Sequence, residues 1–175
     1  MIIVARHDED ITWSKPLSNV VIIQKGRELP NIGRESSSYL WYICDQYEHL
    51  EGSYFFVQGD PFYHSEIDFT DTTPRFFGSL ALTDEDGGTR HRGIGVDKFA
   101  KQAGMNVQYP YWFTNSGQFC VSAEYLHSHS KSFYESLYEM HYEYEKAPWI
   151  MERLWKWLFP YLQPSRVLLP LHIHS

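Results

Sequence analysis

Three polar clusters stand at the ends of apolar runs or in the adjoining loops: Arg6-His7-Asp8-Glu9-Asp10, Asn31-Ile32-Gly33-Arg34-Glu35 and Gln58-Gly59-Asp60. The middle one precedes a helical pattern, where free backbone N–H groups and the positive dipole end attract anions. Arg34 can add a bidentate phosphate contact. The same residues also read as a turn followed by a surface Arg34–Glu35 pair, and spacing does not separate the two. Asp60 follows an apolar strand and is placed to coordinate a divalent metal that holds phosphate oxygens. His64 offers a second ligand or a hydrogen-bond donor. The alternative is a Gly-Asp-Pro turn with a surface histidine. Asp8, Glu9 and Asp10 exceed what a turn needs, so one can read a ribose or a base edge. Arg6 pairs with them or faces phosphate.

The elements that must position these groups are legible in part. Ile2–Ala5 and Asn19–Gln24 are apolar runs rich in β-branched residues, as expected of parallel strands covered on both faces. A helix is expected through about Tyr47, with Tyr39, Ile43 and Tyr47 on one stripe and Ser36, Ser37 and Ser38 as possible N-caps. Ser53–Val57 is a third strand. This order is that of an open α/β sheet, whose ligands bind outside the carboxyl ends of the strands. The stretch from His64 to Gln108 has no clear period, and Asp84–Gly95 reads as a mobile surface loop. Two further helices are expected, one on Phe133, Leu137 and Met140, the other on Ile150, Leu154 and Trp157/Leu158 between Pro148 and Pro160.

Composition narrows the function classes. A chain of 175 residues with 43% hydrophobic and 21% charged side chains is long enough for one domain with a proper core. Formal charge is -7 and no Lys/Arg run occurs, which disfavours nucleic-acid binding. Aromatic residues reach 17%, suited to half-wet walls as well as to a core. Cys44 and Cys120 sit in apolar settings and read as buried thiols. No apolar stretch approaches the ~20 residues of a membrane span, and no signal-peptide pattern opens the chain, so a cytoplasmic protein is expected. His127/His129 and His172/His174 lack metal-site spacing, and no GxSxG elbow is present.

Taken in order, VARHDED, LPNIGRESSSYLWYI, FFVQGDP, NSGQFCVSAEYL and WIMERLWKWLF resemble segments of an uncharacterised domain family of fungi and bacteria. Its members carry VARYNED, LPNVGRE, a strand ending in QG, GAQFAVS and ERLWHYIF. The resemblance runs from Ile3 to Phe159. That layout is similar in turn to nucleotide-sugar glycosyltransferases of the GT-A fold. It implies one GT-A-like (Rossmann-like) α/β domain, with a mostly parallel sheet flanked by helices and a helical C-terminal third. Arg6, Asp8, Glu9, Asn31, Gly33, Arg34 and Gln58 would lie on the donor side. Asp60, with His64, would take the place of the metal ligands for manganese or magnesium. The usual Asp-x-Asp is here Gln58-Gly59-Asp60, with a single acid. Ser116, Gly117 and Gln118 would face the acceptor. Glu152 would be the general base that takes the proton of the acceptor hydroxyl. Spacing alone gives Glu152 a plainer place, in a surface pair with Lys156.

The function expected is therefore transfer of a sugar from a nucleotide-sugar to a glycan or other hydroxyl acceptor. Two alternatives accompany it: a nucleotide- or glycan-binding module without turnover, and a metal-dependent phosphate-ester hydrolase built on Asp60 and His64.

Overall fold

A computed structural model describes residues 1–88 and 91–165 of the chain. The apolar opening forms strand β1 (Ile2–Arg6), which pairs in parallel with β2 (Val20–Gln24) on one side and β3 (Ser53–Gln58) on the other. Between β2 and β3 runs helix α1 (Arg34–Gln46), the crossover that parallel pairing requires. Beyond β3 the sheet changes direction: β7 (Gln118–Ser122) lies antiparallel to β3 and to β4 (Arg75–Phe77), which ends on the short β8 (Gln163–Pro164). The order is β2-β1-β3-β7-β4-β8, and three of its five pairings are parallel.

Period-2 alternation decides what each face of the sheet buries. Ile3, Ala5, Tyr54, Phe56, Phe119 and Val121 face the larger core, which packs against α1, α4 (Lys131–Glu143) and α5 (Ala147–Leu158). Ile2, Val4, Phe55, Val57, Phe77 and Cys120 face the other way. No long helix covers that second face among the described residues. Irregular chain carrying Ile11, Trp13, Ile67 and Phe69 closes it, with Trp13 stacked on Phe69 at 5.6 Å. The expected flanking by helices is therefore met on one face only. The cause is that the segments leading out of β1 and β3 are rich in Pro, Asp and aromatics and make only 3-10 turns, at Thr12–Ser14 and Pro61–Tyr63.

The two late helices stand as expected. Leu137 and Met140 are buried on α4, Ile150, Leu154 and Leu158 on α5, and Pro148 falls in the first turn of α5. The unreadable middle supplies β4, the ribbon of β5 (Leu80–Thr83) with β6 (Tyr111–Thr114), and α2 (Val96–Gln102). The ribbon lies against α5. The loop expected to be mobile at the surface is partly packed: Gly87, Gly88 and Ile94 are buried. The four-residue helix α3 (Ala123–Leu126) starts on Ser122, whose hydroxyl caps Tyr125 N–H. Both cysteines are free thiols, Cys120 buried and Cys44 half-buried. His172 and His174 lie outside the described residues. Among the described residues no helix is long and apolar enough to cross a membrane.

Candidate functional site

Two pockets adjoin at the carboxyl ends of β1, β2 and β3. The first, 240 Å³, is lined by Arg6, Glu9, Lys25, Asn31, Arg34 and Gln58 among others. The second, 340 Å³, includes Arg34, Glu35, Gln58, His64, Trp149 and Glu152. Arg34, Glu35 and Gln58 line both, so they form the shared wall. All three expected clusters reach this rim, and α5 brings Glu152 onto it as well.

The shared wall is built by burying polar groups. Gly33 and Arg34 both have positive φ, +72° and +46°. A left-handed arginine is uncommon outside strained or functional turns. Lys25, at the end of β2, holds this backbone: its buried ammonium donates to the carbonyls of Ile32 and Arg34 and to the Ser37 hydroxyl. Burial lowers the Lys25 pKa to about 8, against the pull of Glu35. Ser36, Ser37 and Ser38 do not cap α1, contrary to expectation. They lie buried inside its first turns, and the N-cap is Gly33. Ser36 Oγ instead stands 2.8 Å from both the Gly33 carbonyl and Nε2 of His141, a buried residue of α4. His141 Nδ1–H donates to the Leu137 carbonyl at 2.8 Å, and burial favours the neutral ring, which leaves Nε2 without a proton facing the Ser36 hydroxyl.

Glu35 is the residue that the sequence hid most completely. Its side chain is only 11% exposed, and it forms the expected pair with the 60% exposed Arg34, whose Nε lies 3.6 Å from Glu35 Oε2. Burial raises its pKa, opposed by its own backbone N–H, Arg34, Lys25 and a hydrogen bond from the Gln58 amide. Gln58 also donates from Nε2 to the Ser116 carbonyl at 2.7 Å and from its backbone N–H to Gln118 Oε1 at 3.0 Å. Gln58 thus orients Glu35 and the β3–β7 junction more than it presents donors to a ligand.

The remaining predicted residues divide clearly. Arg34 is 60% exposed in its side chain, and its guanidinium lies 5.7 Å from the centre of the Trp149 ring. Asn31 sits at the rim, with Nδ2 3.3 Å from His7 Nε2. Arg6 ties down its own loop through the Glu9 carbonyl and Gln24 Oε1, each at 2.9 Å. The Glu9 carboxylate accepts from His7 N–H and packs against Gly59. Asp8 is 89% exposed, lies 3.4 Å from His7 Nε2 and lines neither pocket.

Gln118 corrects the expected acceptor side. It is fully buried, its Nε2 donates to the Pro61 carbonyl at 3.0 Å and its Oε1 accepts from Gln58, so it lies beneath the pocket floor. Ser116 lines the second pocket, but its hydroxyl is committed to the Phe77 carbonyl and Gln118 N–H. Gly117, at φ +64°, leaves room for Glu35 Oε1, 3.5 Å from where a Cβ would stand.

Glu152 does not pair with Lys156, which turns instead to the carbonyls of Pro160 and Leu162, at 2.9 Å each, beyond the end of α5. Its side chain is 18% exposed, inside the pocket, with Arg153 Nη1 at 4.0 Å. Arg153 went unremarked in the sequence, yet it is a buried cation that lines the same pocket. The only advance signal was its place beside Glu152 in the ERLW motif.

Comparison with protein families, characterised proteins and solved structures returns no match. The site therefore rests on its own geometry. Asp60 is exposed outside both pockets, and its charge reaches His64, whose pKa is lowered by burial and by Arg34. Among the described residues no group of three His, Cys, Asp or Glu side chains is placed to hold a metal ion. Asp60 and His64 form a pair at most, which does not by itself make a protein-held metal site, and the metal expectation gains no support from them.

Proposed function

We propose that this rim binds a nucleotide-sugar and transfers its sugar to a hydroxyl acceptor. The observation that carries the proposal is that Arg34 of α1 and Glu152 of α5 line one pocket at the carboxyl ends of the parallel strands. In such sheets that is where ligands bind. The first pocket, which shares the Arg34 wall, would take the nucleoside. Arg34 is the exposed cation of the shared wall, placed to hold the diphosphate and to stabilise the charge that develops on it. Glu35, whose pKa burial raises, pairs with Arg34 Nε at 3.6 Å and leaves the rest of that guanidinium for the phosphates. In the reaction the acceptor oxygen bonds to the anomeric carbon and the bond to phosphate breaks. Glu152 takes the hydroxyl proton, and the nucleoside diphosphate departs.

The test is a thermal-shift panel of nucleoside diphosphates, with and without manganese or magnesium, followed by donor-turnover assays. At least one nucleoside diphosphate is expected to raise Tm, and Arg34→Met is expected to weaken that binding about tenfold, the loss of one charge-assisted contact. Glu152→Gln is expected to lower turnover roughly a hundredfold while sparing binding, the low end of what a general base supplies. Binding without turnover in the native protein would identify a binding module instead. No shift with any nucleotide would end the proposal.

A further inference from the structure

A third pocket, 440 Å³, lies along the β5–β6 ribbon and shares Phe113, Asn115 and Arg153 with the Glu152 pocket. That volume falls in the range of small-molecule sites, about 300–1,000 Å³. The ribbon register pairs Ala81 with Phe113 and Thr83 with Tyr111, so these four side chains share one face. The Phe113 ring centre stands 4.6 Å from the Arg153 guanidinium of α5, which makes that face the inward one. Leu80, Leu82 and Trp112 turn the other way and stay about half-exposed. The side chains that face the pocket from the ribbon are therefore small or polar, chiefly Ser79, Ala81 and Asn115.

Charge in this lining is balanced. Buried Arg153 has Glu152 at 4.0 Å from its Nη1, and Asp84 acts on it as a second counter-charge. With exposed Arg92, that sets two cations against two carboxylates, so a charged ligand meets no net opposite charge. Asn115 is fixed by Ser79: its N–H donates to the Ser79 carbonyl at 3.0 Å, and its Oδ1 accepts from the Ser79 hydroxyl at 2.9 Å. Its Nδ2 has no hydrogen-bond partner among the described residues and stands at the wall between the two pockets. Asp84 Oδ1 accepts from Gly88 and Asp86 N–H at 2.8 and 3.0 Å, and a carboxylate has acceptor sites beyond those two. An acyl chain would leave these polar groups unmet, which is costly. Hydroxyls set around a ring with apolar C–H faces would meet them, with Ala81 and Pro110 against the ring. Tyr63, 79% exposed, adds an open aromatic face at the Glu152 pocket, an apolar body with a polar tip of the same character.

We infer that the third pocket binds a neutral oligosaccharide, its terminal unit at the wall it shares with the Glu152 pocket and the following units along β5. Asn115 Nδ2 donates to a hydroxyl of the terminal unit. No nucleotide is needed for that binding. Naming the saccharide as the acceptor rests on the glycosyl-transfer proposal, because the shared wall then leads its hydroxyl toward Glu152.

Calorimetry on the full chain tests this with glucose, galactose, mannose and N-acetylglucosamine, the neutral di- and trisaccharides of each, and a glucuronate-containing disaccharide. At least one neutral di- or trisaccharide is expected to bind at least tenfold more tightly than its own monosaccharide and than the glucuronate disaccharide. Asn115→Asp keeps the acceptor for Ser79 and loses the amide donor. It is expected to weaken that saccharide at least tenfold, with nucleoside diphosphate shifts unchanged. Ala81→Leu, at a half-buried position on the inward face, narrows the pocket and is expected to erase the gain over the monosaccharide. Circular dichroism melts establish that each variant is folded, and either folded variant suffices for the comparison. No gain from a second sugar unit, a preference for the glucuronate disaccharide, or no effect of a folded variant overturns the inference. A nucleotide shift without any saccharide gain ends this inference and leaves the transfer proposal standing. Saccharide binding without any nucleotide shift upholds the pocket and removes the acceptor assignment.

Discussion

Gly33→Ala is expected to destabilise the fold by about 2–5 kcal/mol, read as a lower denaturant midpoint with an unchanged m-value. Two separate costs add. The residue sits at φ +72°, where an alanine loses roughly 1–2 kcal/mol. An added Cβ would also stand inside contact distance of the His141 ring and 2.8 Å from Ser37 Cβ. Overpacking of that kind costs about 1–3 kcal/mol. Gly52→Ala separates the terms, because Gly52 has φ +70° but nothing within 4 Å of its would-be Cβ. It is expected to show the backbone cost alone. If the two variants lost the same stability, the close packing of α1 on α4 would be refuted. Gly33 was expected on the donor side; it lines neither pocket, and its positive φ together with its contacts to His141 and Ser37 accounts for the glycine.

The second large effect is acid sensitivity centred on His141. Burial lowers its pKa from 6.5 to about 4, with Lys25 adding to the shift and the Leu137 carbonyl opposing it. Between those two pH values the unfolded chain binds a proton that the folded chain does not. Stability from this group is therefore intact above about pH 6.5 and falls as pH drops toward 4. At about 1.4 kcal/mol per pH unit, the gap corresponds to roughly 3 kcal/mol. Carboxylates also titrate at the lower end of this window, so the measurement is the difference between the native protein and His141→Gln across pH 7 to 4. The native protein is expected to lose about 3 kcal/mol more than the variant, a figure set by the same linkage. Parallel pH curves would sink the assignment.

Long apolar or periodic segments were legible in the sequence, and the reason is physical. β1, β3 and helices α1, α4 and α5 each bury a continuous run or stripe that declares its period, whereas β2, expected to be covered on both faces, is an edge strand with only Ile23 buried. Strands β4, β5 and β6 have three or four residues each, too few for alternation to show, and two of them form a ribbon with half-exposed leucines. Arg34, Asn31 and Gln58, expected from a strand end and the adjoining loop, line the pockets, and so does Glu152, which only the resemblance had singled out. What stayed hidden was buried charge. Lys25, Glu35 and Arg153 look like surface residues because sequence patterns assign ions to water, and only tertiary packing supplies the carbonyls and counter-charges that let them stay inside. Gln118 misled in the other direction: a polar residue in a motif looked like a ligand contact, whereas it joins β7 to β3 and to the Pro61 turn.

The back of the sheet, closed by irregular chain and not by a long helix, has a consequence for timing. Helices α1, α4 and α5 lock one face with continuous backbone hydrogen-bond ladders, while Trp13, Phe62 and Phe69 close the other as an aromatic clasp on irregular chain. Segments with few backbone ladders open at lower free energy than the core they cover. Tyr63 and His64, which line the Glu152 pocket, belong to that clasp segment. Amide exchange is therefore expected to be fast around Phe62–Phe69 in the free protein and to slow there on occupancy of the pocket, so that the back of the molecule keeps the clock for events at its rim.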